Sequence, residues 1–153
     1  MINLQLTENF SLKEMTRSDK AMRLGLSNAP NEEQVKNLKN LCEQVLQPLR
    51  DHVGVPVMVN SGFRSPDVNK AAGGVWNSQH LTGEAADIRA SGWGWKTKSQ
   101  KLQIILHWCC WIIEHCTYDQ LIIEDNGSDM WIHVSCRLDP RENRKEINTI
   151  IKR

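Results

Sequence analysis

The spacing of hydrophobic positions changes several times along the chain, and each change marks a predicted element. From Asn31 to Leu49 the apolar residues Val35, Leu38, Leu41, Cys42, Val45, Leu46 and Leu49 recur at intervals of three and four. That spacing lines one face of a helix, so the stripe is core. Asn31 stands before it as an N-cap, with Gln34 placed to cap in return. Ser11-Leu-Lys-Glu14 has the form of a capping box and predicts a short helix starting at Ser11. A second long, very apolar helix is expected over Ser99–Cys116. Elsewhere the pattern shortens to strands. Val53–Asn60 is rich in branched residues, Ala85–Arg89 is short enough for one strand, and Leu121–Glu124 and Trp131–Ser135 flank the polar turn Asp125–Asp129. Between Ser61 and Lys98 the chain is loop-rich and carries six of the nine glycines.

Helices followed by short strands and tight turns predict an α+β fold, with helices packed on one face of a small, largely antiparallel sheet. No repeat, low-complexity tract or linker divides the 153 residues, so a single domain over 1–153 is expected.

Composition narrows the function classes. The hydrophobic fraction is 40%, and 19 basic against 18 acidic side chains leave a net charge of +1. That balance argues against nucleic acid or an anionic membrane as partner. The basic stretch from Arg137 to Arg153 reads as a solvated tail or edge strand. The longest apolar run, Ile104–Ile113, is far shorter than the roughly 20 residues that span a bilayer. The N-terminus, Met1-Ile-Asn-Leu-Gln-Leu-Thr-Glu8, lacks a basic start and an apolar segment, so no signal peptide is expected. The five cysteines, Cys42, Cys109, Cys110, Cys116 and Cys136, are odd in number and form no Cys-x-x-Cys knuckle. They read as buried thiols.

Chemistry concentrates in two of the five histidines. His107 and His115 lie in the apolar helix and His52 ends the first long one, positions that suit partly buried or capping roles. His80 lies in a loop with no obvious core to enter, followed by Gly83, two alanines and Asp87. His133 lies on a strand, where alternation puts it on one face with Trp131 and Ser135. Two imidazoles and a carboxylate, with a fourth position for water, form a catalytic zinc set. Spacing alone supports this weakly, since His80 and Asp87 are seven apart across a loop and no His-Glu-x-x-His signature is present.

Ser78-Gln-His-Leu-Thr-Gly-Glu-Ala-Ala-Asp87 resembles Ser-x-His-x-x-Gly-x-Ala-x-Asp, the zinc motif of the D-alanyl-D-alanine carboxypeptidase family. That family includes phage endolysins that cut the L-alanyl-D-glutamate bond, and its fold is similar to the Hedgehog signalling domain. Trp131-Ile-His-Val-Ser135 looks like the family's second motif, and Ser61-Gly-Phe-Arg-Ser-Pro-Asp-Val-Asn69 is similar to its upstream Ser-Gly-Tyr-Arg-Ser segment. The likeness runs from about Leu12 to Ile147, with the three motifs in order.

The resemblance implies that His80, Asp87 and His133 bind Zn2+, which would activate water and polarise the scissile carbonyl. It implies that Arg64 clamps a substrate carboxylate, against the plainer reading of a surface salt bridge. Ser78 is expected either to orient substrate or a ligand, or to shape its loop. Many family members carry an acidic general base three residues before the last histidine, and here that residue is Met130. Glu124, Asp125 and Asp129 are the nearby carboxylates. Glu124 is taken as the base, because its strand should lie beside that of His133. The expected function is zinc-dependent hydrolysis of a peptidoglycan stem peptide, by a carboxypeptidase or an endopeptidase. The alternative is a non-catalytic binding or virion structural module that keeps a zinc site. An action on the cell wall by a phage or prophage product suits the lack of a signal peptide.

Overall fold

A computed structural model describes residues 4–152. The first three residues of the N-terminal segment and Arg153 of the basic stretch lie outside the described residues. A two-stranded ribbon, β1 (Gln5–Thr7) and β2 (Phe10–Ser11), leads into helix α1 (Leu12–Thr16). Ser11 caps α1 by accepting a hydrogen bond from the Glu14 N–H. After α2 (Asp19–Leu24), Asn31 and Gln34 form the reciprocal capping box that starts α3 (Glu32–Leu41).

The long stripe is broken by a π-helical turn over Cys42–Leu46 before α4 (Gln47–Val53). Pro48 explains the break: its ring crowds the carbonyl four residues back and supplies no N–H, so the Gln47 N–H bonds to Cys42 instead. Gly54, at φ +67°, closes α4. Val53 therefore ends a helix, and the strand expected from it begins later, as β3 (Val57–Ser61).

Helix α5 (Pro66–Ala71), strand β4 (Ala85–Ala90) and helix α6 (Lys98–His115) follow, and then β5 (Gln120–Asp125), β6 (Met130–Ser135) and β7 (Glu146–Ile151). The sheet order is β3-β4-β6-β5-β7. Every neighbouring pair is antiparallel except β5 and β7, which run parallel. The fold is thus α+β with a mostly antiparallel sheet. Part of the basic C-terminal stretch forms its edge strand.

Strand alternation divides the sheet into two faces. Ile88, Ile132, Val134 and Leu121 pack with Leu38, Leu41, Leu46 and Leu49 of the stripe and with Ile105, Trp108 and Ile112 of α6. Register puts Asp87 opposite both Ser61 and His133, His133 opposite Ile122, and Trp131 opposite Glu124. These residues share the other face. A one-residue slip in any of these strands would turn the polar set into the core, so burial of the apolar face fixes the site. Among the described residues no helix is long and apolar enough to cross a membrane.

The cysteines are unpaired. Cys42, Cys109 and Cys136 are buried and Cys116 half-buried, but Cys110 is exposed. His52, His107 and His115 are exposed rather than partly buried. His52 and His115 each stack on Trp111, at interplanar angles of 10° and 16°.

Candidate metal centre

The site begins with backbone that brings three segments together. The Arg64 N–H bonds to the His80 carbonyl at 3.0 Å, and the Phe63 N–H to the Met15 carbonyl at 2.9 Å. Gly62 immediately precedes these two ties, and a Cβ there would strike the Met15 carbonyl oxygen, so only glycine fits this approach. His80 sits on a 3-10 turn, Gln79–Thr82, capped by the Ser78 hydroxyl, which accepts from the His80 N–H at 3.2 Å. Gly83 ends the turn at φ +79°, and a Cβ there would also strike the Gln34 carbonyl. From there the chain enters β4 and delivers Asp87.

His80, Asp87 and His133 are all buried, and one ligand atom from each lies within 4.8 Å of the others. Asp87 Oδ1 is 3.3 Å from His80 Nε2 and 3.0 Å from His133 Nδ1. The rings meet edge to face, 5.1 Å between centroids and 72° between planes. Two rings that converge on one carboxylate oxygen differ from the surface histidines that lie flat on Trp111.

His80 Nδ1 is 2.7 Å from the Gly62 carbonyl. A carbonyl only accepts, so Nδ1 carries a hydrogen, and Nε2 is the nitrogen turned toward Asp87. An orienting contact of this kind accompanies most metal-bound histidines. Asp87 Oδ2 is 3.2 Å from an Arg64 terminal nitrogen, and Arg64 Nε donates to Ser61 Oγ at 2.8 Å. Arg64 is thus largely buried and bonded to a member of the cluster. It is not a surface salt bridge.

The donor set fits zinc. Ligand distances of about 2.0–2.1 Å in a tetrahedron put neighbouring donor atoms roughly 3.3 Å apart, close to the two separations at Asp87 Oδ1. Burial alone would raise the Asp87 carboxyl, but the His80 charge and hydrogen bonds from both imidazoles hold it below the ordinary carboxylate range. Burial would lower the His133 imidazole, but the hydrogen bond and charge of Asp87 raise it. A proton at His133 Nδ1 therefore occupies the position a metal would take, so metal and proton compete.

The cluster lies in a cleft of about 610 Å³ that Arg64, Ser78, Ile122, Glu124, Asp125 and Trp131 also line. Glu124 is half-buried, and burial followed by the Asp87 charge raises its carboxyl above the ordinary range. Asp129 does not line the cleft. Its carboxylate takes hydrogen bonds from Lys101 Nζ at 2.9 Å and Trp93 Nε1 at 3.1 Å. Asp125 pairs with Lys98 at 3.3 Å. Met130 is buried in the core, on the face opposite His133.

Gln79, Arg137 and Arg144 also line the cleft, none of them a candidate from sequence. They converge on Asp119, which is fully buried. Arg144 Nε and a terminal nitrogen donate to it at 3.1 and 2.8 Å, Gln79 Nε2 at 2.8 Å, and Arg137 Nε lies 3.2 Å away. The basic stretch is therefore partly tied down rather than simply solvated. The pairing spans 18 and 25 residues of sequence, so no local pattern announces it.

A model of the family described as Peptidase M15 matches residues 8–110. The chain is also similar to a zinc D-Ala-D-Ala carboxypeptidase from Streptomyces albus G, with 43% identity over 56 residues. That match covers 36% of this chain and 22% of the relative, well under two thirds of its length.

Proposed function

The chain belongs to the peptidase M15 family, and on that footing we propose that it is a zinc-dependent peptidase of bacterial cell-wall stem peptides. The reaction is hydrolysis of one amide bond, of the D-alanyl-D-alanine carboxypeptidase or L-alanyl-D-glutamate endopeptidase type, and residues 1–153 act as one catalytic domain. One observation carries this reading: two buried imidazole nitrogens lie 3.0 and 3.3 Å from the same Asp87 oxygen, in a cleft that Glu124 also lines.

His80 Nε2, Asp87 Oδ1 and His133 Nδ1 hold the metal. Zinc in that position supplies Lewis acidity toward the scissile carbonyl and the attacking water. Glu124 takes the proton from the water and delivers it to the leaving amine. Its placement suits that exchange: it is half-buried, lines the same cleft, and stands on the strand paired with that of His133. Arg64 steadies Asp87 through Oδ2 and offers guanidinium charge to a substrate carboxylate at the same wall. Ser78 acts by capping the His80 turn, which sets the direction of the imidazole.

The test is mass spectrometry of purified sacculi after incubation with the zinc-loaded protein. Loss of a terminal alanine identifies a carboxypeptidase, and release of stem peptides from glycan identifies an endopeptidase. Unchanged muropeptides at full zinc occupancy would sink the reading.

A further inference from the structure

Among the described residues, five buried side-chain polar atoms lack a hydrogen-bond partner, and three belong to residues lining the cleft: Gln79 Oε1, Trp131 Nε1 and Arg137 Nε. Arg137 Nε is 3.2 Å from Asp119 Oδ2, so its charge is compensated even without aligned hydrogen bonding. The other two are orphans. The orientation of Gln79 is fixed by chemistry: its Nε2 donates to Asp119 Oδ2, and an ionised carboxylate only accepts. The end left over is an acceptor. Trp131 Nε1–H is a donor and nothing else. Buried polar groups are nearly always paired, so each exception in a cleft asks for an explanation.

The two orphans belong to residues anchored on either side of His133 along β6. Trp131 is two residues from His133 toward one end of β6. Asp119, which holds Gln79, donates its N–H to the Ser135 carbonyl at 2.8 Å, two residues from His133 toward the other end. These two anchor points lie four residues apart on β6, with His133 midway.

Resting on the peptidase reading above, we propose that Gln79 Oε1 and Trp131 Nε1–H seat the main chain of the substrate peptide on opposite sides of the bond to be cut. Gln79 accepts a substrate amide N–H, and Trp131 donates to a substrate carbonyl. Both residues are half-buried and line the cleft, so a peptide seated there can meet the two orphans after small side-chain adjustment, Gln79 keeping its Nε2 on Asp119. The cleft then selects an extended peptide long enough to make both contacts over a dipeptide. Gln79 and Trp131 are positioning residues, and neither exchanges a proton in the reaction.

The experiment uses the zinc-loaded full chain and synthetic cell-wall stem peptides in which each amide N–H in turn is replaced by N–CH3. Trp131→Phe deletes the donor and keeps the aromatic body. Gln79→Met deletes the acceptor at similar length together with the Nε2 hydrogen bond to Asp119, a loss that the dipeptide and the methylated peptides separate from substrate contact. Each substitution should lower kcat/KM roughly 2- to 12-fold, the worth of one neutral hydrogen bond, with zinc content unchanged and little effect on a dipeptide. One methylated position should cost wild type a similar factor and cost Gln79→Met nothing further. Wild-type kcat/KM in both variants, or equal losses on every substrate including the dipeptide, would overturn the assignment while leaving the peptidase reading in place. If wild type binds the peptides without cleaving them, the peptidase reading fails, and the same comparisons made by calorimetry decide the seating. Wild type that neither binds nor cleaves them would remove both.

Discussion

Asp87 and Asp119 are buried carboxylates beside the same cleft, kept ionised by partners of different chemistry. Asp87 faces two imidazoles and one guanidinium, and Asp119 faces two guanidiniums, an amide and a backbone N–H. Burial pushes both carboxyls up, and in both the partners win and hold the group below the ordinary range. What differs is what the partners can give up. An imidazole sheds its proton near neutral pH and presents a lone pair, whereas a guanidinium stays protonated in a protein. The Asp87 cluster can therefore exchange a proton for a metal ion. The Asp119 cluster is a fixed clamp that joins the start of β5 to Arg144 and, through the Glu146 N–H at 2.8 Å, to the start of β7.

That contrast is broken most severely by removing a metal ligand. His133→Ala should lose more than about 100-fold in zinc affinity, since even outer partners of a ligand cost 10- to 100-fold. Metal analysis after dialysis reads the loss, and equal zinc in variant and wild type would take His133 out of the site. Next in size is Glu124→Gln, which should keep zinc and lose roughly 10²- to 10⁴-fold in turnover. Asp129→Asn is its control and should cost far less, because Lys101 and Trp93 hold that carboxylate outside the cleft.

Arg64→Ala sharpens the comparison, because Arg64 is the one guanidinium in the metal cluster. At limiting zinc it should weaken metal affinity about 10- to 100-fold. If it also clamps substrate, about 10- to 150-fold of kcat/KM should stay lost at saturating zinc. Full recovery with excess zinc would confine Arg64 to steadying Asp87.

The smallest effect is expected on the clamp side. Asp119→Asn should cost roughly 1.5–3 kcal/mol of stability near pH 7, toward the low end because Arg137 and Arg144 are a third to a half exposed. The folded Asp119 carboxyl lies below its unfolded value of about 3.9, so its contribution is full above that value and fades as pH falls through the folded one. Thermal unfolding should therefore separate the two proteins at neutral pH and converge in acid, with zinc content unchanged. A gap that persists in acid would mean that packing, not charge, is what the substitution removes.

Much of this was legible because it is local. The Asn31–Gln34 box, the stripe to Leu49 and the strands carrying Asp87 and His133 are patterns within a few residues. The three-residue metal cluster was legible only through motif resemblance, since a loop and a distant strand meet by sheet register. The π-helical turn needed the clash of Pro48 with its preceding turn to be weighed against an unbroken apolar stripe. The β1–β2 ribbon, the parallel pairing of β7 and the Asp119 clamp depend on partners far apart or on very short strands, where periodicity says little. Leu102, Leu106 and Ile113 of α6 are exposed despite the apolar pattern, so period alone overstated how much of that helix is covered.

The most direct test of the central claim is a zinc titration of chelator-stripped protein while hydrolysis of a cell-wall stem peptide is followed. Activity should be absent at the start, rise linearly and level off at one zinc per chain, with His133→Ala staying flat over the same range. Hydrolysis that survives stripping, or a wild type that takes up one zinc and cleaves nothing, would contradict the assignment of His80, Asp87 and His133 as the catalytic metal centre.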